Sequence, residues 1–207
     1  MTVAVIASAL ADLSDYVERV PRVAEQAARI AINDTITRKG RKLLVAEMEA
    51  QVAFPINYVN DERLFLKDRA TDGNLEATLI GRQRPTSLAR FSTGGAIGQR
   101  GLPIRIRVRR GSGGRVTNNA FLLRLNAGRG VTEDRYNIGL ALRVPQGTGL
   151  TGRKAGNAKE IFPDVYLLYG PSVDQVFRSV AADKAGELGD MVRTEFLRQF
   201  DRLLDDL

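Results

Sequence analysis

The chain contains no cysteine and no histidine among its 207 residues. Without cysteine there can be no disulfide, thiol nucleophile or thiolate metal site, and without histidine no imidazole ligand and no Ser-His-Asp triad. Most of the usual catalytic groups are thereby removed. A metal held by carboxylates alone, or a lysine or carboxylate acting as a base, stays open. Long apolar runs are also missing: none approaches the ~20 residues that a membrane span requires. The opening Met1 to Leu10 is apolar and ends in small residues, yet it has no basic leader and Asp12 soon interrupts it. It therefore predicts a short first strand rather than a secretory signal, in a soluble protein made in a cytoplasm.

What is present describes a globular protein of ordinary make. Apolar residues form 43% and charged residues 27%, and the length suits a single domain, here 1–207, able to bury a real core. The 31 basic against 24 acidic residues leave a net charge of +7, which admits a polyanionic neighbour without requiring one.

The chain is organised around its last stretch. Gly170 and Pro171 stop an extended segment, and Ser172 with Gln175 forms the S-x-x-Q pattern that caps a helix start. Apolar residues then recur at helical spacing through Val176, Val180, Leu188, Met191, Phe196 and Phe200, with one gap at Lys184. A stripe of that kind needs a partner surface. Near the other end, residues 21 to about 53 predict a second long helix, opened by Pro21, with a small-residue face of Ala24, Ala27, Ala28 and Ala31. Gly40, inside the basic cluster Arg38 to Lys42, is the expected kink or break, and a partial helical turn is expected over Asp12 to Val20.

Between the helices the pattern is that of strands and loops. Ile56 to Asp72 is irregular, and Leu75 to Arg82 predicts a strand with Ala77 and Leu79 opposing Thr78 and Ile80. Ile104 to Arg109 alternates without error, placing Arg105, Arg107 and Arg109 on one face. Further strands are expected at Asn119 to Leu125, Asn137 to Val144 and Val165 to Tyr169. Extended glycine- and arginine-rich loops are expected at about 82–103 and 145–160. The fold class predicted is α+β: an antiparallel sheet with one face covered by two long helices, N-terminal and C-terminal.

No stretch carries catalytic chemistry convincingly, and neither a cofactor nor a metal is expected. Gly147-Thr-Gly149-Leu-Thr-Gly152 matches G-x-G-x-x-G by letter, but no amphipathic helix follows, so it reads as an exposed loop. The carboxylate pairs Asp61-Glu62, Glu133-Asp134 and Asp205-Asp206 are adjacent, and adjacent side chains diverge, so they read as solvated. Arg105, Arg107, Arg109 and Arg110, with Arg82, Arg84, Arg90, Arg100 and Arg115, could meet phosphates. They lack the interleaved aromatics of single-strand binders and any helix-turn-helix pattern. Three readings stay open for them: a solvated face, a subunit contact, or sequence-independent contact with nucleic acid.

Two stretches carry a resemblance: Ala27-Ala-Arg-Ile-Ala-Ile-Asn-Asp-Thr35, and Leu167-Leu-Tyr-Gly-Pro-Ser-Val-Asp-Gln-Val-Phe177. Together, and in the order of elements around them, the chain resembles the minor tail protein Z and tail-completion proteins of tailed bacteriophages and prophages. The loops from Arg82 to Gly114 and from Gly147 to Lys159 lie outside the resemblance. It implies a non-enzymatic structural protein of the virion: a homo-oligomeric ring of six or twelve copies at the tail or neck, joining tail to head around the DNA channel. Its partners would be portal, neck or tail-tube proteins, with no membrane contact. On that reading Val176, Val180, Leu188, Met191, Phe196 and Phe200 serve in part as a subunit seam. Arg105, Arg107, Arg109 and Arg110 would line the channel or meet an acidic partner. The alternative is a nucleic-acid-binding module using the basic strand and loops in a sequence-independent way.

Overall fold

The computed structural model describes residues 3–4, 21–125, 137–150 and 157–205. Its elements run β1 (Val3–Ala4), α1 (Pro21–Thr37), α2 (Lys39–Gln51), β2 (Leu64–Asp68), β3 (Thr78–Gly81), β4 (Ser92–Thr93), β5 (Ile104–Ile106) and β6 (Arg115–Thr117). They continue with β7 (Ala120–Leu125), β8 (Asn137–Arg143), β9 (Ala158–Phe162), β10 (Val165–Leu168), α3 (Val173–Asp183) and α4 (Ala185–Asp205). Helices and antiparallel sheets make the chain α+β, as the pattern predicted. The layout differs, however, from one sheet beneath two helices. Among the described residues there are three sheets, with strand orders β1-β3-β2, β4-β5-β6 and β7-β8-β10-β9. The chain divides into two compact units where its length suggested one: Met1–Met48, Val59–Gln83 and Val173–Leu207 in the first, Glu49–Tyr58 and Arg84–Ser172 in the second. The partial turn expected over Asp12 to Val20 lies outside the described residues.

In the first unit the alanine face of α1 is buried and receives Phe196 and Phe200 of α4, with Val23, Leu75 and Leu203 packed around them. Small side chains on one helix let the large rings of the other sit close to its backbone. Burying each ring stabilises the unit by about 1.5–3 kcal/mol. A polar stripe on α1 holds the chain that follows β2. Glu25, Arg29 and Asn33, four residues apart, share one face. Asn33 Nδ2 donates to Ala70 O at 2.9 Å and its Oδ1 accepts from Ala70 N at 3.0 Å. Arg29 pairs with Asp72 at 2.8 Å, and Gly73 N donates to Glu25 at 2.6 Å.

The first helical stretch breaks at Arg38, between α1 and α2, rather than at Gly40. Helical bonds still cross the break, from Arg38 N to Asp34 O at 3.0 Å and from Lys42 N to Arg38 O at 3.1 Å, so it is a kink. Gly40 is buried within α2, where an added Cβ would lie 2.8 Å from Thr35 O and 2.9 Å from Leu188 Cδ2. Its glycine serves a close helix contact, not a break. The C-terminal helix likewise kinks at Lys184, where the apolar spacing had its gap, and Lys184 ties the kink to Glu47 and Glu187.

The sheet of this unit shows two departures. Leu64–Asp68, set in a stretch expected to be irregular, pairs with β3 as the strand β2, and a register shift between Leu66 and Asp68 hides its alternation. In β3, Thr78 and Leu79 are both buried. Gly81 lies so close to α3 that an added Cβ would be 2.6 Å from Asp174 Cα.

In the second unit the four-stranded sheet carries an apolar cluster on each face. Ala120 and Leu140 pack with Ile104, Leu88, Ile106 and Leu168 on one; Ala141, Val165 and Leu167 pack with Phe121, Leu123 and Leu125 on the other. The predicted sharing of a face by Phe121, Leu123 and Leu125 is therefore observed. β9 falls inside the stretch expected to be a loop at 145–160, because Ala-Lys-Glu-Ile-Phe has no alternation to announce it. It is an edge strand, paired to β10 alone.

Candidate functional site

Charge divides with the two units. The second holds 15 Lys and Arg against five Asp and Glu, and the first 16 against 19. The pairs Arg29–Asp72, Arg41–Asp61, Arg178–Asp174, Lys184–Glu47 and Arg198–Glu195 all belong to the first unit. In the second, none of Arg90, Arg100, Arg105, Arg107, Arg109, Arg110, Arg115 or Arg143 has a carboxylate within 4.0 Å among the described residues. Cations without internal partners attract external anions.

Short ladders and turns position these arginines. In the β4-β5-β6 sheet Thr93 faces Arg105 and Ile106 faces Arg115, so Arg105 and Arg115 emerge on opposite sides. Beyond β5 the backbone is pinned by Arg107 N to Phe91 O at 2.9 Å, Ala53 N to Val108 O at 2.8 Å and Arg110 N to Gln51 O at 3.0 Å. It then turns through Gly111 and Gly114, both at positive φ, with Ser112 Oγ donating to Arg109 O at 2.8 Å.

Three recesses of this unit are lined by arginine and, among the described residues, by no carboxylate; one of them holds Arg100 and Arg143 beside Phe121, and the other two are the following. A cleft of about 320 Å³ is formed by Arg90, Arg105 and Arg107 with Phe91, Ser92, Thr93 and Ser112. A groove of about 790 Å³ has an apolar floor of Leu88, Ile106, Ala120, Leu142 and Leu168, and a rim bearing Arg109 and Arg115; Arg143, paired with Val165, sits on the other face of the sheet. The expectation that Arg105, Arg107 and Arg109 share one face is corrected here. Arg105 and Arg107 line the cleft, whereas Arg109 lines the groove, because the strand ends at Ile106 and the chain changes partners to residues 51–53. Arg110 is exposed beside them. Arg90 lies over the Tyr58 ring at 5.3 Å and Arg100 over Phe121 at 5.0 Å, contacts that hold guanidinium groups without neutralising them.

The helical candidates fare differently. Val176, Val180, Leu188, Phe196 and Phe200 are all buried within the folded chain, and only Met191 is half-buried. As a subunit seam these five are corrected to intrachain core, since α1 and the neighbouring elements already cover their stripe. The exposed large apolar residues of α4 are Leu197 and Leu204 instead.

Tyr169-Gly170-Pro171, within the second stretch that carries the resemblance, has a local role. Gly170 N donates to Thr86 O at 2.7 Å, and an added Cβ on Gly170 would lie 3.0 Å from the Phe91 ring. Helix α3 starts at Val173, directly after Ser172, as the capping pattern predicted. Of the carboxylate pairs, Asp61 is tied to Arg41 at 2.6 Å; Glu133, Asp134 and Asp206 lie outside the described residues, as do Thr151 and Gly152 of the glycine pattern. Among the described residues no cluster of three or more carboxylates is placed to hold a metal, and no helix is long and apolar enough to cross a membrane.

One signal in the chain could have located the site directly. Between Glu76 and Glu133 there is no acidic residue and no lysine, but there are 11 arginines. Arginine's planar fork matches phosphate and carboxylate oxygens two at a time, which lysine cannot do. No protein-family model, curated protein or solved structure matches the chain.

Proposed function

We propose that this chain is a structural protein of a tailed-bacteriophage virion. Copies assemble as a homo-oligomeric ring of six or twelve at the tail or neck, completing the tail and joining it to the head, with the arginine-rich unit turned to the DNA. The observation that carries the reading is the set of eight arginines without carboxylate partners among the described residues, gathered in one unit. DNA presents one negative charge per about 1.7 Å of axis, and unpaired guanidinium groups around a channel interact with it without reading sequence. The resemblance in residues 27–35 and 167–177 supports the same assignment. Ring partners above and below would be portal, neck or tail-tube proteins. Arg105, Arg107 and Arg110 then serve the channel wall.

The test is the assembly state of the full chain and of particles that contain it. Electron microscopy should show closed rings with a central opening, and labelled copies should sit where tail meets head. A single copy per particle would overturn the reading. The second reading, a nucleic-acid-binding module outside any virion, rests on the same arginines; it requires tight DNA binding by the isolated monomer, whereas a ring component needs many copies around one duplex.

A further inference from the structure

We infer that the apolar-floored groove receives the outer stripe of α4 from an adjacent copy of this chain. The inference rests on the ring reading and names the contact that would build the ring. The cleft and the groove differ in their floors. The cleft at Arg90, Arg105 and Arg107 offers hydroxyls at Ser92, Thr93 and Ser112, which suits phosphate oxygens. The groove instead exposes Leu88, Ile106, Leu142 and Leu168 beneath two cations, Arg109 and Arg115. A sugar-phosphate backbone would leave that floor without apolar cover. A protein segment with leucines between carboxylates would satisfy both floor and rim.

Such a segment is present on α4. Asp190, Leu197, Asp201 and Leu204 are separated by seven, four and three residues, so they form one stripe along the helix, with Asp205 beside its end. Leu197 is 39% and Leu204 38% exposed. Neither Asp190, Asp201 nor Asp205 has a cation within 4.0 Å among the described residues. Of the nearby cations, Arg198 bonds Glu195, Arg202 bonds Gln199 and Arg38 pairs with Asp34, while Lys39 shares a recess with Asp190 and Arg193 flanks the stripe. Unpaired aspartates with exposed leucines on one surface thus complement unpaired arginines around an apolar floor on another. Because the two surfaces are different, the contact is heterologous, and a heterologous contact repeated with closure generates a cyclic ring.

The absence of cysteine makes the test clean. Asn119, exposed on the groove rim, and Leu204 are changed together (Asn119→Cys with Leu204→Cys) in the full chain, and the purified protein is oxidised mildly. The expected result is a covalent ladder that ends at the ring's copy number. Each single variant gives at most dimers. Arg109→Glu with Arg115→Glu should cut the ladder by about tenfold or more through like-charge opposition, and adding Asp201→Arg with Asp205→Arg should restore it. Circular dichroism checks that every variant is folded. Rings visible by electron microscopy with no ladder, or with cross-links only inside one chain, would overturn this contact and leave the ring. A chain that is monomeric by mass at every concentration, with no ladder and no rings in particles, would overturn both.

Discussion

Replacing Arg90, Arg105 and Arg107 with glutamine removes the three guanidinium groups of the polar cleft without touching the apolar-floored groove. Each phosphate neutralised on duplex DNA contributes a slope of about −0.9 to the dependence of log affinity on log salt. Three contacts therefore predict a slope of about −2.7, and a rise from about 50 to about 200 mM salt should weaken binding about 40-fold. Engagement of all eight unpaired arginines would instead predict a slope of about −7 and a loss of about 10⁴-fold. The magnitude thus separates a cleft that holds the backbone alone from a whole unit laid against it. The assay is fluorescence anisotropy with two labelled duplexes of unrelated sequence across a salt series. Both duplexes should give the same curve, and the triple variant should lose nearly all of the salt dependence. A wild-type slope shallower than −1, or a triple variant with an unchanged slope, would refute the assignment of phosphate contacts to the cleft.

Packing and ionisation set five further outcomes. Gly81→Ala brings a methyl group against the backbone of Asp174, which cannot yield as a side chain tip would, and should cost about 1–3 kcal/mol in urea unfolding. Gly186→Ala, with open space around it in α4, should stabilise by about 0.5 kcal/mol, and equal effects at the two sites would contradict the packing described. Phe196→Ala empties the centre of the α1–α4 core and should cost about 3–5 kcal/mol by the same measurement. Asn33→Ala leaves Ala70 N and O unanswered; a loss of about 1–3 kcal/mol is expected, with faster amide exchange at residues 70–73. The Glu195 carboxyl is held below its ordinary value of 4.5 chiefly by its hydrogen bond from Arg198. Its contribution is present above 4.5 and lost as the pH falls through the lower folded value, so Glu195→Gln should flatten the loss of stability in acid.

Much of the local structure was legible because periodicity is a local property. Ala24, Ala27, Ala28 and Ala31 announced a small-residue helix face, Ser172 a helix start, and Phe121, Leu123 and Leu125 a shared sheet face, and all three are found. The strands at Leu64–Asp68 and Ala158–Phe162 were not legible: each is an edge strand interrupted by charges or a register shift, so neither shows a clean period of two. The kink or break expected at Gly40 is a kink two residues earlier, because a glycine in a helix marks such a point only when its backbone needs freedom. Here it marks the approach of Leu188 from a segment far along the chain.

Residue order alone determined which side chains could make a core, which cations lacked neighbouring acids, and that histidine and cysteine chemistry is excluded, since each depends on residue type and near spacing. Only the tertiary structure decided that the stripe through Val180, Leu188 and Phe196 is covered by the chain itself, and that Arg105 and Arg109 belong to different recesses. The reason is physical: a periodic pattern specifies that a face must be buried or that a charge must emerge, but what meets it depends on segments brought together from distant parts of the chain.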